Sequence, residues 1–209
     1  MERFDRCQKL FGDRFEKIQN TKILLLGVGG VGGFCLDCLY RSGVKNITIV
    51  DDDTFDITNQ NRQIGASAVG AVKVSVLAKK YAGVKAIETK IDEAWCEQFD
   101  FDEFDIVIDA IDDMRAKVAV ANSVKKIFIS SMGSAKKLNP TKIKVTSIWK
   151  THTDKLAKKF RYELKKSGFK GDFLVVFSDE ESQSKEMGSF VGVTGSFGLA
   201  LCATTINKI

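Results

Sequence analysis

The stretch KILLLGVGGVG, Lys22 to Gly32, decides the fold. Lys22 to Gly27 is short and almost wholly apolar, as expected of a parallel strand covered on both faces. Glycines come at once after it, a helix is predicted from Val31 to Ser42 with Gly43 as its stop, and NITIVD (Asn46 to Asp51) alternates like a second strand. Strand, glycine turn, helix and strand make a βαβ unit. Its glycines let the backbone turn tightly and approach a phosphate, to which the helix N-terminus offers free N–H groups and positive dipole. Asp51 closes the second strand 19 residues after Gly32, where a carboxylate can accept hydrogen bonds from ribose hydroxyls. The loop (Gly27, Gly29, Gly30, Gly32) and Asp51 therefore point to a bound nucleotide, NAD being the usual occupant of such a turn.

Working outward, helix is predicted over Ala68–Tyr81 and Met114–Val124, and strand over Lys85–Lys90, Phe104–Ala110 and Ile127–Ser131. This alternation specifies an α/β fold with a Rossmann-like, doubly wound and mainly parallel sheet. After Gly133 the pattern changes to a C-terminal extension of strands and helices: strand at Ile143–Ile148, a basic helix near Asp154–Lys166, strand at Phe173–Phe177 and a last helix from about Gly192. In the basic helix Leu156, Phe160 and Leu164, four residues apart, draw one apolar stripe. The reading is one domain, 1–209, with a nucleotide-binding core at 1–133 and a substrate-facing part at 134–209.

With 209 residues, 44% of them hydrophobic, the chain can bury one substantial core. The N-terminal segment lacks the apolar stretch of a secretory signal. The uncharged run Phe190–Ile206 is short for a membrane span and is read as a buried helix, so no membrane insertion is expected. Five cysteines without a repeating spacing argue against a disulfide framework and for a reducing cytoplasm. Cys35 and Cys38 form the one CxxC, inside the predicted first helix, and read as two small core residues. Lys125–Lys170 holds 14 Lys/Arg against Asp154 and Glu163 only, a net +12 that leaves −7 for the rest. Such asymmetry fits a polyanionic partner or a solvated lysine face.

The loop beyond the second strand is unlike that of a dehydrogenase. DDDTFDITNQNRQIG, Asp51–Gly65, crowds Asp53, Asn59, Asn61, Arg62 and Gln63 together, with Lys73 close behind. Arginine and lysine beside a nucleotide suit charge building on a phosphoryl group, which hydride transfer does not need. DAIDD, Asp109–Asp113, ends a strand at the carboxyl edge of the sheet, where a carboxylate can hold the magnesium that accompanies ATP.

In order along the chain, GVGGVG, the acid after strand two, Asn59-x-x-Arg62-Gln63, Lys73 and Asp109-x-x-Asp112 resemble the superfamily of ubiquitin-activating enzymes and their bacterial relatives, which adenylate carboxylates. Within it, RFDRCQKLFG, TNQNRQI, DAIDDMRAK, NPTKIKVT and TDKLAKKFRYELKK are most similar to the tRNA threonylcarbamoyladenosine dehydratases. The likeness spans nearly the whole chain, but at about 169–189 the chain is shorter than that pattern and carries no cysteine. The superfamily resemblance implies ATP and magnesium as cofactors, with Asp51 and Asp53 on the nucleotide side, Asn59, Arg62 and Lys73 at the triphosphate, and Asp112 positioning magnesium. It also implies a homodimer in which an N-terminal arginine crosses to the partner's phosphates; Arg6 is the candidate and Arg3 its rival. The dehydratase resemblance makes tRNA the substrate, held by Lys136, Lys137, Lys158, Lys159, Arg161, Lys165 and Lys166, and leaves room for a sulfur-transfer protein. The alternative is adenylation of the C-terminal glycine of a ubiquitin-like or sulfur-carrier protein. Activators of that kind carry two CxxC pairs for zinc or a nucleophilic cysteine, and this chain has neither pattern. His152 reads as a solvated surface residue that could touch RNA.

Overall fold

The computed structural model describes residues 3–209. Two short helices, α1 (Asp5–Phe11) and α2 (Arg14–Asn20), precede β1 (Lys22–Leu26). The chain continues through α3 (Gly32–Arg41), β2 (Asn46–Val50), α4 (Lys73–Lys80), β3 (Lys85–Ile87), α5 (Glu93–Gln98), β4 (Ile106–Asp109), α6 (Met114–Ser123) and β5 (Ile127–Ser131). Then come β6 (Ile143–Ser147), α7 (Lys155–Lys166), β7 (Leu174–Ser178) and α8 (Val191–Ile206).

One seven-stranded sheet has the order β3-β2-β1-β4-β5-β7-β6. Every neighbouring pair is parallel except β6 with β7, so the strands after residue 133 extend the same sheet. The four central residues Ile23–Leu26 are fully buried because helices cover both faces, which is why β1 reads as a continuous apolar run rather than an alternation. The order reverses at β1/β4, and there the carboxyl ends of the strands open the crevice in which doubly wound sheets bind ligands.

Helices α3 and α8 cover one face together with α4. They touch backbone to side chain: a Cβ on Gly198 would sit 2.4 Å from the Val31 carbonyl oxygen. Gly198 therefore serves close helix packing, and the run read as a buried helix is one, with Val193, Phe197, Leu201 and Ile206 in the core. Among the described residues no helix is long and apolar enough to cross a membrane.

Two expectations need correction, and one segment without a predicted element gains structure. The helix predicted from Ala68 begins only at Lys73, because Gly65 and Gly70 adopt positive φ and a Thr54–Val72 bridge holds the approach extended. The N-terminal segment, quoted for its motif alone, forms α1 and α2, broken at Gly12 with φ 56. Cys35 is a small core residue as read and Cys38 packs against the same core, but Cys38 is also joined to Cys202 across the α3–α8 seam, with Cα atoms 6.1 Å apart, against the expectation that the cysteines form no disulfide.

Candidate nucleotide-binding site

The crevice at the β1/β4 reversal is a cleft of about 1710 Å³. One wall is the nucleotide loop. Gly27, Gly29, Gly30 and Val31 line it, and no side chain caps the N-terminus of α3; in its first turn the Gly33 N–H donates to the Gly29 carbonyl (2.9 Å), and the Gly32 N–H is left for a ligand. Gly32 is there because nothing larger fits: a Cβ would lie 1.9 Å from the Gly27 carbonyl oxygen.

Asp51 follows β2 directly and is almost buried, accepting N–H bonds from Val28 (2.8 Å) and Asp53 (2.9 Å). Burial raises its pKa above the ordinary carboxylate value, against the pull of those two bonds. Asp53 is exposed and receives the ammonium of buried Lys73 at 2.7 Å. Asn59 is buried and closes a capping box with Asp56, which fixes the loop that carries Arg62. Arg62 donates to the Thr58 carbonyl (2.9 Å) and Asn61 Oδ1 (2.8 Å), and its stem lies against Gly30. Beside it Gln63 lines the cleft with a buried carboxamide oxygen that has no hydrogen-bond partner among the described residues. A buried acceptor without a donor is costly unless a ligand or water completes it.

The D-x-x-D motif divides into unlike halves. Asp109 is fully buried and bonds to the Lys117 ammonium (2.8 Å), the Ser130 hydroxyl (2.6 Å) and the Ile111 N–H (3.0 Å). It locks the turn. Asp112, three residues on, stands exposed on the cleft wall.

The opposite wall comes from the C-terminal part. Ser131 at the end of β5, Gly133 and Lys137 after it, Asp154 and Lys155 at the start of α7, and Glu180 after β7 all line it. Asp154 caps α7 through the Ala157 N–H (2.9 Å) and pairs with Lys137 at 2.9 Å, both groups being buried. Glu180, also buried, accepts the N–H groups of Leu138 and Asn139. Lys136, at φ 64, exchanges backbone bonds with Gly188 and Gln183 and so ties the 178–190 loop to the wall.

Residues 5–193 match the ThiF family. The chain belongs to that family. Among its ThiF-family relatives, tRNA threonylcarbamoyladenosine dehydratase of Bacillus subtilis is 39% identical over 90% of this chain and 82% of its own length. The crystal structure of Escherichia coli tRNA N6-threonylcarbamoyladenosine dehydratase in complex with ATP superposes with a TM-score of 0.92 at 31% identity, covering 99% of this chain and 93% of that one. SUMO-activating enzyme subunit 2 of Dictyostelium discoideum is 37% identical over 56% of this chain but 19% of its own length, which matches the superfamily motifs rather than the rest.

Within this ThiF-family cleft, Gly27, Gly29, Gly30, Asp51, Asp53, Asn59, Arg62, Lys73 and Asp112 come together as the motif order implied. Arg6 does not join them: it is exposed on α1, while Arg3 is held over the Tyr40 ring at 4.4 Å. Lys137 departs from its expected contact with RNA, because an ammonium buried against Asp154 is not free for a phosphodiester outside. Arg161 likewise points half-buried into its own chain, donating to the Thr151 hydroxyl. Lys136 donates its ammonium to the Lys185 carbonyl at 2.6 Å, whereas Lys158, Lys159, Lys165 and Lys166 are exposed. His152 is on the surface with its ring edge-on to Phe177.

Sequence reading missed Lys117 and the Lys137–Asp154–Glu180 group. Nothing in the lysine runs distinguishes the two members that turn inward, and the cap that Asp154 forms on α7 shows only in the fold. Neither internal free thiol is a nucleophile: burial raises the Cys35 thiol well above its usual value and pushes Cys96 up to about 12.

Proposed function

We propose that this chain is an ATP-dependent carboxylate-adenylating enzyme that dehydrates N6-threonylcarbamoyladenosine in tRNA. The observation that carries the reading is the single cleft with two unlike walls: a nucleotide wall of glycines, Asp51, Arg62 and Lys73, and a facing wall that continues into a lysine-rich helix.

The nucleotide wall fits ATP. The orphaned Gln63 oxygen and the uncapped α3 N-terminus are both unfinished without a ligand. Asp51 would take ribose hydroxyls, and Asn59, Arg62 and Lys73 the phosphates. Exposed Asp112 fits magnesium, since carboxylate oxygens suit that ion and the alternative cluster, Asp51 to Asp53, is already engaged by N–H groups and Lys73. Bound there, the ion would neutralise phosphate charge.

In the first step a threonyl carboxylate oxygen attacks the α-phosphorus, the bond to the bridging oxygen breaks, and pyrophosphate leaves. In the second the ureido nitrogen attacks the activated carbonyl, AMP leaves, and the nitrogen's proton passes to solvent. The ring closes with net loss of water. Arg62 and Lys73 stabilise the charge developing in the first step. An intramolecular nucleophile explains why no reactive thiol is needed, since proximity replaces covalent capture. A cytoplasmic homodimer, in which Arg6 reaches the partner's phosphates, completes the reading; Arg3 is occupied by Tyr40.

The test is pyrophosphate release by purified protein with tRNA that carries or lacks the modification, followed by nucleoside mass analysis. Turnover with modified tRNA only, and loss of about 18 Da (the mass of water) from the nucleoside, is the expected result. Turnover with a small protein's C-terminal glycine instead would replace it.

A further inference from the structure

Helix α7 leaves the cleft at Lys155 and runs 12 residues, about 17 Å. At 100° per residue, Lys155, Lys158, Lys159, Tyr162, Lys165 and Lys166 fall on one arc of about 120°. All six are exposed, and the opposite arc, Ala157, Phe160 and Leu164, is buried. The only aromatic ring on that face is Tyr162, 65% exposed and flanked by lysines at i−4, i−3, i+3 and i+4.

Folding accounts for little of this arrangement: Glu163 stands one turn from Lys159 and Lys166, and the Lys165 ammonium lies over the Trp149 ring at 5.9 Å, but neither contact involves Tyr162. An exposed ring adds little core, and Lys155 with Lys159, like Arg161 with Lys165, sets like charges one turn apart, which weakens a helix. A polyanion offsets that repulsion, and a lysine row would serve any polyanion. The ring narrows the choice: phosphates have no use for it, whereas an unpaired base stacks on an aromatic face between backbone-binding cations.

We propose that the solvent face of α7 is an RNA rail in which Tyr162 stacks an unpaired base while Lys155, Lys158, Lys159 and Lys166 hold the strand leading into the cleft. This rests on the dehydratase reading for the identity of the RNA and extends it to a base contact. An acidic protein would engage the lysines but not depend on the ring in this way.

The experiment is equilibrium binding of tRNA, and of heparin as a base-free polyanion, across a salt series, for the parent, Tyr162→Ala, Tyr162→Phe and the triple variant K158A/K159A/K166A, with unfolding midpoints as the fold control. Tyr162→Ala should weaken tRNA binding roughly 5- to 100-fold with an unchanged salt slope and unchanged heparin affinity, and Tyr162→Phe should restore it. The triple variant should lower the salt slope by about 2. Equal tRNA affinity of Tyr162→Ala and parent overturns the stacking; an unchanged slope in the triple variant overturns the rail. A parent that shows both effects yet releases no pyrophosphate with modified tRNA keeps the rail and refutes the dehydratase reading.

Discussion

The two walls of the cleft each hold a lysine–aspartate pair, and the pairs differ in where the aspartate stands. In Lys73–Asp53 the lysine side chain is 6% exposed and the aspartate 67%; in Lys137–Asp154 the values are 6% and 2%. Distance does not separate them, at 2.7 and 2.9 Å. Solvent does. Water can take over Asp53 at small cost, so Lys73 is free to exchange its partner for a phosphate. No solvent waits behind Asp154, so Lys137 stays, and the pair fixes the start of α7. The same two residue types thus make a movable cation on one wall and a fixed strut on the other.

The largest effect should come from breaking the sealed pair. Lys137→Met leaves Asp154 buried without a counter-charge and should cost about 3–5 kcal/mol in urea unfolding. K137M/D154N, which keeps an N-cap side chain, should recover most of that. If the single variant is as stable as the parent, the strut is no strut. On the open wall Lys73→Met should leave unfolding almost unchanged and lower pyrophosphate release by roughly 10²–10³-fold. Gly198→Ala probes the support behind the nucleotide wall: a methyl driven at the Val31 carbonyl should cost about 1–3 kcal/mol and loosen nucleotide binding, read by calorimetry.

The smallest effect concerns pH. The folded pKa of Asp51 lies above the ordinary 3.8, so its contribution to the ligand-free protein's stability is full below that value and lost as pH rises through the raised one. Asp51→Asn should remove this slope and stabilise the ligand-free protein at neutral pH. Ribose hydroxyls favour the charged carboxylate, so the parent's nucleotide affinity should fall as pH drops through the same window, and the Asn variant's should not.

The nucleotide wall was legible because its chemistry is local: a strand, a turn and a helix start within Lys22–Arg41, and the glycines stand where the turn needs them. The facing wall was not, because Lys137, Asp154 and Glu180 come from three separated loops that only the β5-β7-β6 order brings together. A lysine run shows how much charge there is but not which members turn inward; that depends on a buried carboxylate 17 residues away in Lys137's case. Asp109 and Asp112 illustrate the same limit, since one motif supplied both an internal lock and an exposed carboxylate on the cleft wall. The Cys38–Cys202 link was invisible for the same reason, its partners being 164 residues apart.

That separation has a consequence for the order in which the molecule comes into being. The helix behind the phosphate loop is covered by the last helix of the chain, and Val28, Leu36 and Phe197 belong to one core. A ribosome adding about 5–20 residues per second needs roughly 8–30 s to pass from Cys38 to Cys202. Through that interval the first βαβ unit exists with one side bare, and a chain cut short before residue 191 never covers it. The nucleotide site therefore matures only once α8 has been made, long after its own βαβ unit, and products truncated between the two are marked by an uncovered apolar face.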